Sequence, residues 1–301
     1  MNVPRLNRKV KTAAGIASVY FTLLLIGFVF IYPVIYIVSY SFMDTEDLVN
    51  PLVRWLPTKL YIGNFSEAAS VLDFAPTLMK TLIVTVLPSI LQTISASIVG
   101  YGFSRFRFPG KKIMLAALLA TFIIPPQVTM IPQFLMFRDL KLLETIWAFI
   151  LPATFTQGIR SAIFVLIFYQ FFNMLPRSLE EAAKIDGAST FKIFYRIAVP
   201  SATPAYIIAF LFSLVWYWNE TTLTALYLGE KWATLPLKLQ NFAVTFRRLY
   251  PADPYSVVGK NLNEAIVMAG TFLTLIPLLM IYFFTQSWFV ESIDRTGITG
   301  E

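Results

Sequence analysis

Residues Leu175–Pro204 read LPRSLEEAAKIDGASTFKIFYRIAVPSATP, a polar stretch set between two apolar runs, Gln157–Phe172 and Pro204–Leu228. The contrast decides the fold, because the flanking runs suit a bilayer and the stretch between them is punctuated like two helices in water. Ser178 followed three residues later by Glu181 is a capping-box pattern, in which each side chain satisfies a free amide at a helix start. Leu179 to Asp186 is then a good helix former, and Gly187 stands where a left-handed C-cap residue is wanted. Ser189 or Thr190 can cap a second short helix with an apolar face of Phe191, Phe194, Tyr195 and Ala198. Pro200 and Pro204 end that helix and open the next apolar run. A helix of two turns is marginal alone in water, so it needs a surface to pack on. The residues support two surfaces equally: the lipid interface, or a groove in another protein.

The composition outside this stretch agrees with a membrane setting. Of 301 residues, 57% are hydrophobic and 14% charged, and the mean hydropathy is +0.67. A soluble protein carries about 25% charged residues, so a soluble enzyme, a disordered scaffold and a nucleic-acid-binding domain are excluded. With no Cys and no His, there is no thiolate nucleophile, disulfide, imidazole base or usual zinc ligand. Neither a catalytic nor a metal site is expected. The net charge of +7 is read as basic cytoplasmic loops rather than a nucleic-acid surface.

A spanning helix needs roughly 20 apolar residues. Six stretches qualify: Ala17–Ser41, Thr77–Tyr101, Ile113–Met136, Gln157–Phe172, Pro204–Leu228 and Glu264–Phe289. The first follows Arg5, Arg8, Lys9 and Lys11 but is too long for a signal h-region, so it is expected to be a retained span. With the N-terminus inside, the shorter inner segments carry more Lys and Arg than the longer outer ones. Those inner residues include Arg105, Arg107, Lys111, Lys112, Arg177, Lys184, Lys192 and Arg196. The expectation is an all-α integral membrane protein with six transmembrane helices, N-in and C-in. It forms a single transmembrane domain over 1–301, with cytoplasmic tails at 1–16 and 290–301 around a six-span core at 17–289. The Met43–Pro76 loop then faces outward.

Polar groups inside spans are costly and mark candidate sites. Arg160 at the outer end of span four can snorkel to the interface or meet a substrate. Gln127 sits beside Pro125 and Pro126, where the backbone can open to line a route. Gln92, Thr93 and Ser95 are expected to knit helices together. Trp216, Tyr217, Trp218, Asn219 and Glu220 combine ring faces with polar edges, as sugar recognition requires. An interfacial aromatic belt has the same composition. Arg247-Arg248 suits either an acidic partner surface or plain solvent.

In the stretch quoted first, Glu181-Ala182-Ala183, then Gly187, then Ile197-Ala198-Val199-Pro200 after nine residues, resembles the EAA loop of bacterial ABC importer permeases. Tyr101-Gly102-Phe103-Ser104-Arg105-Phe106-Arg107-Phe108-Pro109-Gly110, Ile124-Pro125-Pro126-Gln127-Val128 with Ile131-Pro132, and Trp218-Asn219-Glu220 resemble segments of the maltose-type carbohydrate permeases. The resemblance covers most of Phe74–Glu301. The ending Glu291-Ser292-Ile293-Asp294-Arg295-Thr296-Gly297 departs from the commoner Gly-containing one.

The resemblance implies a cytoplasmic coupling helix between spans four and five that seats in a separate ATPase subunit. Glu181 and Asp186 would supply its charged contacts, Ala182 and Ala183 the close fit, Gly187 the turn, and Pro200 the close of the element. It implies a multi-pass protein of the bacterial cytoplasmic (inner) membrane. Its partners would be a second, homologous permease subunit, two ATP-binding-cassette subunits, and an extracellular or periplasmic binding protein that delivers a sugar or oligosaccharide. Consistent with that division of labour, Gly110-Lys111-Lys112 lacks the upstream Gly and the hydroxyl residue of a P-loop. ATP and Mg would then reside on the partner, and this chain would need no cofactor. The alternative, an ion-gradient-driven secondary transporter, requires acidic groups within spans, where only Glu220 and, at the start of span six, Glu264 are placed. A membrane scaffold would explain the spans but not the loop.

Overall fold

The computed structural model describes residues 3–251 and 261–297; of residues 3–14 and 288–297 it describes the helical backbone alone. The tail cations Arg5, Arg8, Lys9 and Lys11, and the ending Glu291–Gly297, therefore lie outside the described side chains. Lys260 lies outside the described residues altogether.

The described chain is all helical, with no strand among the described residues. Helices α1 (Val3–Ser41), α2 (Thr45–Val49), α3 (Gly63–Leu72) and α4 (Phe74–Arg105) come first, followed by α5 (Lys111–Ile123) and α6 (Pro126–Asp139). After α7 (Trp147–Thr154) and α8 (Ser161–Met174), the linker stretch contains α9 (Arg177–Ile185), α10 (Thr190–Ile193) and α11 (Val199–Ser201). The chain then runs through α12 (Thr203–Asn219), α13 (Leu235–Gln240), α14 (Phe242–Leu249) and α15 (Glu264–Gly297).

Three helices are long and apolar enough to cross a membrane, Gly15–Ser41, Phe74–Arg105 and Glu264–Ser287. The count rises to six if each of three bent pairs is one span. The sharpest bend, 98°, separates α5 from α6 at Ile124-Pro125. Pro125 supplies no amide and holds Ile124 extended, so a continuous helix cannot form there.

Two expected limits move. Within the run expected as span four, helix α8 begins at Ser161 rather than Gln157, because Arg160 adopts left-handed dihedrals (φ 53, ψ 30) and ends the preceding loop. Within the run expected as span five, helix α12 ends at Asn219, not Leu228, because Glu220 is extended there. Its carboxylate accepts the Leu223 amide at 2.8 Å, opening a separate turn over Thr224–Leu228.

The chain forms two compact units. One comprises the described residues up to Val71 with those from Phe242 to Leu273. Here Asn64 Nδ2 donates to the Ser41 and Met43 carbonyls at 3.0 and 2.7 Å, and buried Asp47 accepts from the Thr58 amide and hydroxyl at 2.9 and 2.7 Å. The Met43–Pro76 loop is thus an ordered structure over its first half. Tyr36 Oη donates to Glu264 Oε1 at 2.6 Å, joining α1 to the start of α15.

The second unit is built around α4. Its buried positions are mostly small or hydroxylated, among them Thr77, Thr81, Thr85, Ser89, Ser97 and Gly100. Hydroxyls of this kind lose their donor cost by bonding back one turn: Thr81 to Thr77 O at 2.7 Å, Ser89 to Thr85 O at 2.6 Å, Thr93 to Ser89 O at 2.7 Å. Small residues let backbones approach where lipid gives no hydrophobic drive between helices. At Gly100 a β-carbon would stand 2.6 Å from Phe168 Cβ and 2.9 Å from the Tyr169 amide, so α4 and α8 meet there only through glycine. Phe164, Val165, Phe168 and Phe172 of α8 then fill a core with Tyr101 and Phe103 of α4 and Ala198, Ala202, Ala205 and Ala209.

Candidate functional site: the linker between α8 and α12

The expected capping box does not form. Helix α9 starts two residues early, with Pro176 at its N-cap and no side-chain cap, which places Ser178 inside the first turn. Glu181, its intended partner, is exposed. The neighbouring Glu180 is the one buried residue of the nine in α9. Its Oε1 accepts from Arg105 Nε at 2.6 Å, with side chains 9% and 6% exposed respectively. Arg105 Nη2 also donates to the Leu175 carbonyl at 3.1 Å. The last residue of α4 therefore grips both the entry and the first turn of α9. The signs suit the helix termini, a cation at a C-terminus and an anion at an N-terminus.

Helix α9 ends as its sequence requires. Gly187 has φ 75, and its amide and that of Ala188 close onto the Lys184 and Ala183 carbonyls at 3.0 and 2.9 Å. A β-carbon on Gly187 would meet nothing within 4 Å, so backbone conformation and not space selects glycine. Ser189 caps α10, accepting the Lys192 amide at 3.3 Å.

The expected apolar face of the second helix splits into two stripes, each of residues four apart. Phe194 and Ala198 face inward with Ile193, and the Phe194 ring lies 4.9 Å from that of Tyr101. Phe191 and Tyr195 remain 77% and 65% exposed. A π-turn over Phe194–Ala198 and the first-turn prolines Pro200 and Pro204 carry the chain through a 75° bend into α12.

The outward surface of the element includes Glu181, Ala182, Asp186 and Gly187 with Leu179, Ile185, Phe191 and Tyr195, among exposed cations Arg177, Lys184, Lys192 and Arg196; Ala183 is half-buried and Pro200 exposed. Apolar side chains this exposed on a polar linker mark a surface for contact with lipid or with another protein.

The candidate path residues do not converge in this chain. Trp218 is buried, and Asn219 is exposed with its amide donating to its own helix at Val215 O, 2.9 Å. Glu220 is half-buried as a cap. Gln127 is exposed just after the α5–α6 bend. Arg160 is exposed with its guanidinium 4.9 Å from the Trp216 ring centroid. Gln92 knits helices as expected: Nε2 donates to Ile159 O at 2.9 Å and Oε1 accepts from Tyr217 Oη at 3.1 Å. Ser95 adds a bond to Ala153 O at 2.8 Å.

Sequence reasoning passed over Arg105 and Glu180 as functional residues. No local signal in the sequence marks the pair, because Glu180 and Glu181 are adjacent carboxylates and only the distant Arg105 distinguishes them.

The model of the binding-protein-dependent transport system inner membrane component family matches residues 92–295. Among relatives, the polygalacturonan/rhamnogalacturonan transport system permease protein YtcP of Bacillus subtilis (strain 168) is 29% identical over 284 residues, covering 94% of this chain and 97% of that protein. The arabinooligosaccharides transport system permease protein AraQ of Halalkalibacterium halodurans is 28% identical over 290 residues, 92% and 96% of the two chains. A chain in the crystal structure of a bacterial ABC transporter that imports the acidic polysaccharide alginate superposes with a TM-score of 0.72 at 22% identity. The match covers 93% of this chain and 98% of that one, and it shows a shared fold.

Proposed function

The chain belongs to the family of inner membrane components of binding-protein-dependent transport systems, and from that premise we propose that it is the translocating subunit of an ATP-driven importer for a sugar or oligosaccharide. It is a membrane transport component rather than a catalytic enzyme. The observation that carries the reading is the α9–Gly187–α10 element: a polar helix and turn that present carboxylates, small residues and exposed apolar side chains away from the core. The carbohydrate class is supported by relatives whose names specify polygalacturonan, rhamnogalacturonan and arabinooligosaccharides.

In this account the six-span chain, N-in and C-in, acts as one permease domain. It pairs with a second permease and two ATPase subunits, which hold ATP and Mg, and receives sugar from an external binding protein. ATP binding closes the ATPase pair and displaces the Ser178–Val199 element. Glu181 and Asp186 make the charged contacts, Ala182 and Ala183 the close fit, Gly187 the turn, and Pro200 the return into α12. The spans then rock from inward- to outward-open. Asn219, Gln127 and Arg160 offer polar surface to the route, with Trp218 and Glu220 setting the end of α12 behind them. The ion-coupled alternative has little support, since the buried carboxylates among the described residues are Asp47, in the short helix α2, and Glu180, in the polar helix α9 and already paired with Arg105.

The test is uptake of radiolabelled neutral and acidic oligosaccharides by native cells with and without this chain. ATP-dependent uptake of at least one sugar, lost on deletion and restored by the wild-type chain, is expected. Uptake that persists without ATP and collapses with the ion gradient would overturn the reading.

A further inference from the structure

We propose that the Arg105–Glu180 ion pair is the strut that makes α4 follow α9, so that both residues are positioning residues for transmission of the ATPase stroke into the membrane core. The proposal rests on the reading of α9 as the coupling helix and adds the route by which its motion enters the spans.

Three observations carry it. First, α9 is attached to its own unit through a single buried side chain. Glu180 alone of residues 177–185 is buried, whereas Leu179 and Ile185 are 49% and 87% exposed. A helix seated by an apolar face can slide, because such contacts are non-directional. A helix held by a short charge-assisted bond of 2.6 Å, with the Tyr101 side chain of α4 also bonded to Glu180, turns or translates with its partner. Second, the partner is the terminal residue of α4, which packs against α7, α8 and α12 and supplies much of the buried interior of the unit. Displacement of Glu180 therefore acts on the end of the central helix, and the Arg105 bond to Leu175 O keeps the guanidinium from pivoting freely. Third, the pair is a poor device for stability alone. Removing two charges from water is expensive, and an apolar pair of similar volume would often hold as well. Arg105 Nη1 is moreover buried without a partner. The directional link is what an apolar replacement lacks.

The absence of native cysteine allows a direct test in the assembled transporter reconstituted in lipid vesicles. Arg177→Cys on α9 and Ile98→Cys on the exposed face of α4 are spin-labelled, and their separation is measured with and without ATP plus vanadate, alongside ATP hydrolysis. With Arg105 and Glu180 intact, the separation is expected to stay the same in both states. In the double variant Arg105→Met, Glu180→Leu, the complex assembles and hydrolyses ATP, but the separation becomes nucleotide-dependent. If that variant fails to assemble, Glu180→Gln, which keeps an acceptor without the charge, is expected to broaden the distance distribution in the ATP state only.

A separation that stays nucleotide-independent in these variants overturns the strut and leaves the coupling reading standing. If the wild-type complex lacks ATPase activity, or its environment at position 177 does not respond to nucleotide, the coupling reading falls and the strut with it.

Discussion

Tyr217 of α12 donates its phenolic proton to Gln92 of α4 across 3.1 Å, inside a site that also receives the Ile159 amide on the Tyr217 oxygen at 3.3 Å. Both side chains are buried, so neither can turn to water for a replacement partner. The node ties the end of the loop before α8 to two core helices. Tyr217→Phe leaves the Gln92 oxygen and the Ile159 amide unpaired. Such a loss costs about 1–3 kcal/mol in a soluble core, but hydrogen bonds between membrane helices average about 0.6 kcal/mol. We expect about 1 kcal/mol, seen as a modestly lower unfolding temperature in detergent; an unchanged temperature would show the node to be idle.

The α4–α8 contact should be less forgiving. A β-carbon at position 100 would overlap Phe168 and the Tyr169 backbone, and backbone cannot step aside as a flexible side chain can. Gly100→Leu is expected to cost about 1–3 kcal/mol by overpacking, more than Tyr217→Phe. The check is the same thermal scan, and equal or greater stability of the leucine variant would refute the close approach of the two helices.

Gly187 offers a different outcome, because a side chain there meets open space. Gly187→Ala is strained only by its dihedrals, about 1–2 kcal/mol. Gly187→Asn should be milder, since asparagine visits the left-handed region more readily. Gly187→Pro cannot adopt φ 75 at all. All three variants are expected to insert and assemble, with ATP-driven uptake per ATP hydrolysed falling in the order Asn, Ala, Pro. Full uptake by the proline variant would count against the coupling role of the turn.

The aromatic cluster separates by burial. Trp218→Ala removes a side chain that is 1% exposed and should cut protein abundance, since emptying a core position of this size costs about 3–5 kcal/mol. Asn219→Ala alters an exposed amide and should leave abundance intact while reducing sugar uptake. Quantitative immunoblotting beside uptake distinguishes the two, and a normal uptake rate for Asn219→Ala would remove that residue from the substrate route.

Much of this architecture was legible beforehand. Long apolar runs gave the helices at α1, α4 and α15, Pro125-Pro126 announced the bend of span three, and Gly187 and Ser189 took the capping positions their chemistry suits. What escaped was tertiary. Ser178 and Glu181 matched a local pattern, but Pro176 started the helix two residues sooner and the distant Arg105 drew Glu180 inward; a local pattern contains no information about a partner 75 positions away. The ends of spans four and five escaped for a related reason. Gln157–Arg160 is polar but joins two apolar runs and Glu220–Leu228 is apolar enough to extend one, and only the left-handed Arg160 and the Glu220 cap mark where the helices stop.

The most direct measurement is purification of the tagged chain from its native membrane in mild detergent, with ATP hydrolysis assayed on the eluate and its subunits identified by mass. The account predicts a second permease and a P-loop ATPase in stable stoichiometry, with hydrolysis stimulated by the external binding protein. A chain that crosslinks to no ATPase in the intact membrane and elutes without hydrolytic activity would contradict it.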